Sequence, residues 1–288
     1  MEYLIHIGII FTIYGILALS LNLVVGYTGL LSLAHAALYG IGAYTVAIFS
    51  TKLGLNFFPA VLIGMALSAI VALVIGLAVS RFRDDFYVLA TLGMTVIVGN
   101  LFLNLQSVTR GPLGIPGIDR PSIGSFVFSE NIYFLILAAA CLIITYFIAR
   151  YITQSSFGRV LKAIREDEGA LQVFGYKTHY FKLLIFMIAG ALAALAGGLY
   201  ASYITFIDPY TFSIAESILM ISIIILGGLA NNKGAILGAF VLILLPEILR
   251  FVGFPSDIAA QMRQVIYGLL LVLLMIYRPQ GMMGEYKL

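Results

Sequence analysis

Few side chains in this 288-residue sequence have the type and setting to do chemistry, and their spacing rules out most kinds of it. Two carboxylates fall in apolar runs, Glu216 at the start of one and Glu247 late in another, in the stretch LPEILR. Ionisable groups at membrane depth are functional candidates, here for a proton relay. Near the ends of such runs they also snorkel to the interface or pair, and Arg250 lies one helical turn from Glu247. The three histidines, His6, His35 and His179, are scattered, and no HExxH or paired Cys/His spacing suggests a metal site. No Gly-Lys dipeptide occurs, so the chain has no phosphate-cradling Walker A loop with which to hydrolyse ATP by itself. A GxSxG nucleophile elbow is also absent. Cys141 is a single cysteine in an apolar run, which excludes a disulfide framework.

The elements that must position these residues are set by composition. Hydrophobic residues make up 62% of the chain and charged residues 10%, with a mean hydropathy of +1.08. Soluble domains carry about 25% charged residues, so most of the outer surface must face lipid. Runs of about 20 apolar residues suit spanning helices and occur near 3–25, 31–50, 58–80, 86–105, 131–150, 183–206, 215–230, 234–252 and 262–278. The expected fold is therefore all-α: a polytopic transmembrane helical bundle of about 8–10 spans in one domain, 1–288. The start, MEYLIHIGII, lacks a basic region and runs straight into apolar sequence, which reads as a first span and not a cleavable signal. A net charge of +3 gives no argument for nucleic acid as a partner.

The second apolar run is unusual. GYTGLLSLAHAALYGIGAY places four glycines, Ser32 and His35 at membrane depth. Interrupted backbone is tolerated there only when buried in protein or lining a wet path. Ser32, His35, Gly40, Gly42 and Tyr44 are accordingly candidates for a translocation pathway, with a tightly packed glycine-rich helix as the equal alternative.

Orientation follows the basic residues. Segment 150–182 holds Arg150, Arg159, Lys162, Arg165, Lys177 and Lys182, six of the sixteen basic residues, and is expected in the cytoplasm. Arg81 and Arg83 lie two spans earlier, and Arg278 and Lys287 four spans later, on the same side. Loop 106–130 and the N-terminus then fall outside. The turn-rich RGPLGIPGIDRP predicts a rigid, folded loop. Within the cytoplasmic segment, Val160, Ile164, Leu171 and Phe174 form an apolar stripe at helical spacing, opposite Arg159, Lys162, Arg165, Glu166 and Asp167. Gly169 weakens the middle of this helix, and Gly175 is placed to end it with a left-handed cap. Such a helix rests on lipid headgroups or docks a cytoplasmic partner. The acidic run Glu166-Asp167-Glu168 favours docking.

Six blocks, taken together, carry a family resemblance: LNLVVGYTGLLSLAHAALYGIGAYT (21–45), RGPLGIPGI (110–118), FGRVLKAIREDEGALQVFG (157–175), LAGGLYASYITFIDPYTFSI (195–214), LGGLANNKGAILGAFVLILLPEILR (226–250) and YGLLLVLLMIYRPQGMMG (267–284). In order and over nearly the whole chain, they resemble the permease subunit of ATP-binding cassette importers for branched-chain amino acids, the LivM-like branch of the LivH/LivM family. The resemblance implies a bacterial inner-membrane, multi-pass transport subunit and not an enzyme. It also implies a LivH-like second permease, two cytoplasmic ATPase subunits that bind ATP and Mg, and a periplasmic substrate-binding protein; this chain would bind no cofactor. Arg159, Arg165, Glu166, Asp167, Glu168 and Gly175, in about 151–182, would then form the ATPase coupling segment. Three places depart from the family pattern. Thr91-Leu92-Gly93-Met94-Thr95 lacks the acidic residue common after TLG, Gly169 replaces a larger residue, and Asn231-Asn232-Lys233 stands where Ser and Trp are common. Relatives move urea, amides or other small polar solutes, and an ion-coupled secondary transporter is the other reading of a chain with this composition.

Overall fold

The computed structural model describes residues 2–79, 82, 84–123, 126–251, 265, 268, 269, 272, 277 and 280–284. Four long helices open the chain: α1 (Glu2–Thr28), α2 (His35–Leu53), α3 (Phe57–Val79) and α4 (Asp84–Asn104). After a short α5 (Gln106–Thr109) and a folded loop come α6 (Asn131–Gln154), α7 (Ser156–Val173), α8 (Thr178–Ile204), α9 (Ile214–Gly227) and α10 (Asn232–Phe251). The all-α bundle expected from composition is present. All but five residues of the expected span at 262–278, together with Arg81, Arg83, Arg278 and Lys287 and the side chains of Glu247 and Arg250, lie outside the described residues.

Among the described residues, five helices are individually long and apolar enough to cross a membrane: α1, α3, α4 from Phe86, α6 and α8. The glycine, tyrosine and histidine content of α2 lowers its hydropathy. At 14 residues, α9 is about 21 Å long and cannot cross a hydrocarbon core of about 30 Å. It is joined to α10 by a bend of 119°, so the pair is at most one broken span.

Helices α1, α2 and α8 form the core. Apolar and small on every side, they are buried nearly all round. Close approach of α2 and α8 needs small residues. A Cβ on Gly42 would collide with the backbone of Ala194, and one on Gly197 with the carbonyl of Tyr39. On the outside, Leu62, Ile70 and Val74 of α3, Leu89 of α4 and Ile136 of α6 are exposed, as a lipid-facing surface requires.

The two ends of the bundle differ in charge. At the start of α1, His6 Nδ1 meets Tyr203 Oη near the end of α8 at 2.6 Å, so these helices run antiparallel. That end carries the folded loop 106–130. There, β1 (Ile115–Pro116) pairs antiparallel with β4 (Phe206–Ile207), and β2 (Ser122–Ile123) with β3 (Phe126–Val127). Ser50 Oγ donates to Asp119 Oδ2 at 3.2 Å and Lys52 Nζ to Ser107 O at 2.9 Å, which pins the loop to the end of α2 as its turn chemistry predicted. The opposite end carries α7 with its basic residues. By the charge rule this end faces the cytoplasm, and the start of α1 lies at the other.

Two segments repeat in inverted orientation. Helix α1 leads through non-helical residues 29–34 into α2, and α8 leads through 205–213 into α9. At the two re-entries the sequence reads Ser32-Leu33-Ala34-His35-Ala36-Ala37-Leu38 and Ser213-Ile214-Ala215-Glu216-Ser217-Ile218-Leu219. His35 and Glu216 thus occupy matching positions in helices that set off in opposite directions from the interior, the arrangement of an inverted repeat.

Gly42 and Gly99 provide a packing test. Gly42→Ala should lower the melting temperature of the purified protein, with a cost of about 1–3 kcal/mol. Gly99 has open space around it, so Gly99→Ala should be neutral or stabilising by up to about 1 kcal/mol. Equal stability of the two variants would remove close packing as the reason for Gly42.

Candidate functional site

The site is built from the break between α1 and α2. Thr28 Oγ1 donates to Val24 O at 2.7 Å, and Gly29, at φ +74°, ends α1 with its N–H on Val25 O. The positive φ favours glycine there. The chain then climbs back into the bundle, where the backbone of Leu33 has no helix to satisfy it. Three side chains do so instead. Leu33 N donates to Thr91 Oγ1 at 3.1 Å, while Thr95 Oγ1 and Ser217 Oγ donate to Leu33 O at 2.7 and 2.6 Å. Ser217 Oγ also accepts from Ala36 N at 3.1 Å, so α9 caps the start of α2. Thr91, Thr95 and Ser217 are buried.

Of the candidate pathway residues, Ser32 is buried and accepts from Ala34 N at 3.3 Å. His35 is fully buried with Nε2 2.7 Å from Ser20 Oγ, whose hydroxyl donates to Leu17 O, so Nε2–H of His35 is the donor. A Cβ on Gly40 would lie 2.7 Å from the Phe102 ring and 2.9 Å from that of Phe212. Tyr44 stacks on Phe102 at 4.4 Å between ring centroids. Gly40 and Tyr44 are thus brought together in one buried aromatic cluster with Phe102 and Phe212, while Ser32 and His35 sit at the break and Gly42 packs against α8.

The opening lies at the matching position of the second repeat. A cavity of about 570 Å³ at the start of α9 is lined by Glu216, Ser213, Thr211, Tyr14, Tyr200 and Tyr210. Glu216 Oε1 accepts from Tyr14 Oη at 2.6 Å. Tyr39, fully buried, packs edge-on to Tyr200 and Phe212, and its hydroxyl has no partner among the described residues. Ser213, the residue before α9, makes no side-chain cap. The cavity therefore combines one carboxylate, several phenols and a helix N-terminus, groups suited to an ammonium and a carboxylate respectively. Its volume is in the range of small-molecule sites. Glu216 was visible in the sequence as an isolated carboxylate. Thr91, Thr95, Ser217 and Ser20 were not, because only the fold brings them to the break.

Helix α7 packs across the basic end. Ser155 Oγ caps it, accepting from Gly158 N at 3.4 Å. Leu161 and Ile164 are buried against Leu23, Tyr27, Ala149 and Ile185, which is protein and not headgroups. The expected stripe is corrected at its end: Phe174 is 80% exposed and Val173 87%. The reason is a break at Asp167 (φ −155°, ψ 98°), whose Oδ1 accepts from Ala170 N at 3.0 Å and starts a second, re-aimed turn of helix. Gly175, at φ +84°, follows that helix as expected.

The coupling candidates divide into two groups. Arg165 donates to the carbonyl of Gly26 at the end of α1. Glu168 is paired with Lys182 Nζ at 2.8 Å and accepts from Thr178 Oγ1 at 2.8 Å, both at the start of α8. Arg159 bonds Ser156 Oγ at 2.9 Å, and Arg159, Glu166, Asp167 and Gly175 are exposed. At the α9–α10 turn, Ala230 N donates to Asn22 Oδ1 at 3.1 Å, Asn232 Nδ2 lies 3.3 Å from Thr153 Oγ1, and Asn231 Oδ1 caps Lys233 N at 3.0 Å. This gives the polar Asn231-Asn232-Lys233 run a structural role.

A helical bundle with paired half-helices meeting inside it and an amphipathic helix docked at its basic end is a multi-pass membrane permease. The model of the branched-chain amino acid transport system / permease component family matches residues 3–275, and the chain belongs to that family. It is 34% identical to the high-affinity branched-chain amino acid transport system permease protein LivM of Escherichia coli, over 94% of this chain and 68% of that one. Identity is 25% to the probable LivM permease of Methanocaldococcus jannaschii, covering 96% and 91%, and 24% to LivH of Salmonella typhimurium, covering 94% and 91%. No solved structure matches. The chain is thus similar to both LivM and LivH permeases, and as a member of their family with several apolar helices it is a multi-pass protein of the inner membrane.

The cap at Leu33 can be tested directly. Ser217→Ala together with Thr95→Val leaves Leu33 O and Ala36 N without these partners, and each orphaned group should cost about 1–3 kcal/mol. The double variant should melt well below the wild type in detergent. An unchanged melting temperature would show that the break does not depend on these groups.

Proposed function

We propose that this chain is one of two permease subunits of an ATP-driven importer of the branched-chain amino acids leucine, isoleucine and valine. The relatives' names support that substrate class. The observation that carries the mechanism is the cavity at the start of α9, where Glu216 stands beside a helix N-terminus inside an otherwise apolar bundle. A zwitterion leaving water needs its ammonium and carboxylate met. Glu216 and the tyrosine faces serve the first, and the exposed end of α9 the second. The apolar side chain is accommodated by Ile218 and Leu219, which line the same cavity. Ser32, His35, Gly40, Gly42 and Tyr44 hold the neighbouring half-helix that forms the path's inner wall.

A second, LivH-like permease completes the path, a periplasmic binding protein delivers substrate, and two ATPase subunits hold ATP and Mg. This chain contributes no cofactor site, and it works as one domain, 1–288. Coupling runs through α7. Its exposed turn, with Glu166, Asp167, Val173, Phe174 and Gly175, meets the ATPase, and Arg159 flanks it. Arg165 and Glu168 pass the movement to α1 and α8.

Two experiments test this reading. With partner subunits reconstituted in proteoliposomes, uptake should require ATP and favour leucine over urea and other amino acids. Glu216→Gln, which keeps a hydrogen-bond acceptor for Tyr14, should lower uptake by about tenfold, the loss of one charge-assisted contact of about 1.5 kcal/mol. Uptake without ATP that follows an ion gradient would replace the importer with a secondary transporter, and preference for urea would move the substrate class. For coupling, Phe174→Ala with Glu166→Gln leaves buried contacts intact and should weaken ATPase association or uncouple hydrolysis from uptake. Normal, substrate-stimulated uptake in that variant would remove α7 as the coupling element.

A further inference from the structure

Two cavities at the basic end of the bundle share a wall. The first, about 390 Å³, is lined by Arg150, Lys162 and Lys233 together with Thr153, Gln154 and Asn231. No carboxylate is among its described lining residues. Arg150 and Lys233 are exposed. Lys162 is held with its Nζ 5.7 Å above the Tyr27 ring. The second cavity, about 460 Å³, is an apolar groove between α6 and α10 lined by Leu142, Ile143, Phe147 and Ile236. Tyr146 and Lys233 line both.

Their levels in the bundle differ in a definite way. Arg150, Thr153 and Gln154 belong to the last turn and a half of α6, and Asn231 and Lys233 flank the start of α10. Ile143 lies seven residues before Arg150, about 10 Å deeper along the span. Ile143 and Phe147 are 55% and 59% exposed on the outer surface of the bundle. The polar cavity is thus at the membrane boundary, and the groove descends from it into the hydrocarbon region.

A ligand that uses both must carry a compact negative group and an apolar tail. We infer that the two cavities form a binding site for an anionic phospholipid, its phosphate among Arg150, Lys162 and Lys233 and one acyl chain in the α6–α10 groove. Charge complementarity selects this occupant. The site is on the basic end, which faces the leaflet where anionic lipid and juxtamembrane cations attract one another. Tyr146, which lines both cavities, is placed to meet glycerol and ester oxygens at the junction. A lipid held there would brace α6 and α10 beside the α9–α10 turn, whose polar network reaches Thr153.

The test uses the full chain purified in detergent, with retained lipid counted by native mass spectrometry. Phosphatidylglycerol should bind, and phosphatidylcholine of the same chains should bind at least tenfold more weakly. Arg150→Gln with Lys233→Gln should weaken phosphatidylglycerol by roughly tenfold or more, each near-surface cation contributing about fivefold. Ile143→Trp, which fills the groove from an exposed position, should also weaken it while leaving the lipid-free melting temperature unchanged. Equal retention by wild type and the charge variant would overturn the proposal, as would equal binding of the two lipids. Inorganic phosphate displacing the lipid at equal concentration would show an anion site without the acyl groove, and would overturn it too.

Discussion

The structure depends on satisfying the backbone N–H and C=O of one residue, Leu33. Between Gly29 and Ala34 the chain re-enters a region where water cannot hydrogen-bond its backbone, and each bare group there costs several kcal/mol. Thr91 and Thr95 from α4 and Ser217 from α9 all converge on those two groups. Because Ser217 also caps Ala36 N, the start of α2 and the start of α9 are fixed by the same hydroxyl. Two half-helices are thereby locked end to end inside the bundle. The cavity beside Glu216 sits one residue from that lock.

The second repeat shows what the lock makes possible. His35 and Glu216 occupy the same place in the two re-entries, yet their surroundings differ. His35 is enclosed, with Ser20 on one nitrogen and no exposure. Glu216 opens to a cavity, with Tyr14 holding one oxygen. One half-helix end is sealed and serves as structure, and the other is open and carries the polar chemistry. This asymmetry needs only one membrane-depth carboxylate in the described core, consistent with a sequence so short of charges.

Much of the fold was legible from residue types. Apolar runs located the long helices, turn chemistry marked the pinned loop 106–130, and the basic segment 150–182 identified the end that carries α7. The glycine-rich run signalled a break, but its position was read within α2, whereas it falls before His35 and leaves a continuous helix beyond. Its glycines have a packing task, because Gly42 and Gly197 let two backbones touch. The run at 215–230 was read as a full span for a related reason, although α9 has only 14 residues. Apolar composition cannot distinguish a 14-residue half-helix from a full span when both sit among apolar neighbours. Thr91, Thr95 and Ser217 were illegible altogether: a Thr or Ser in an apolar helix usually bonds its own preceding turn, and only tertiary contact redirects it to Leu33.

Mechanical linkage follows from where α7 is fastened. Its buried face and Arg165 hold the last turn of α1, immediately before the break, through the Gly26 carbonyl. Glu168 holds the first turn of α8 through Lys182 and Thr178. A force on the exposed turn at Val173 and Phe174 would therefore reach the two helices that lead into the re-entries, and α6 through Ala149. Residues 29–34 form a short non-helical link that contains the Leu33 lock, so displacement of α1's end would act on the shared cap of α2 and α9. Bistability would arise at that cap, since hydroxyl partners can exchange between neighbouring carbonyls at small cost while the packed helix faces cannot deform continuously. The polar lock at Leu33 thus holds the half-helices in place and is also the contact between them whose partners can exchange at least cost.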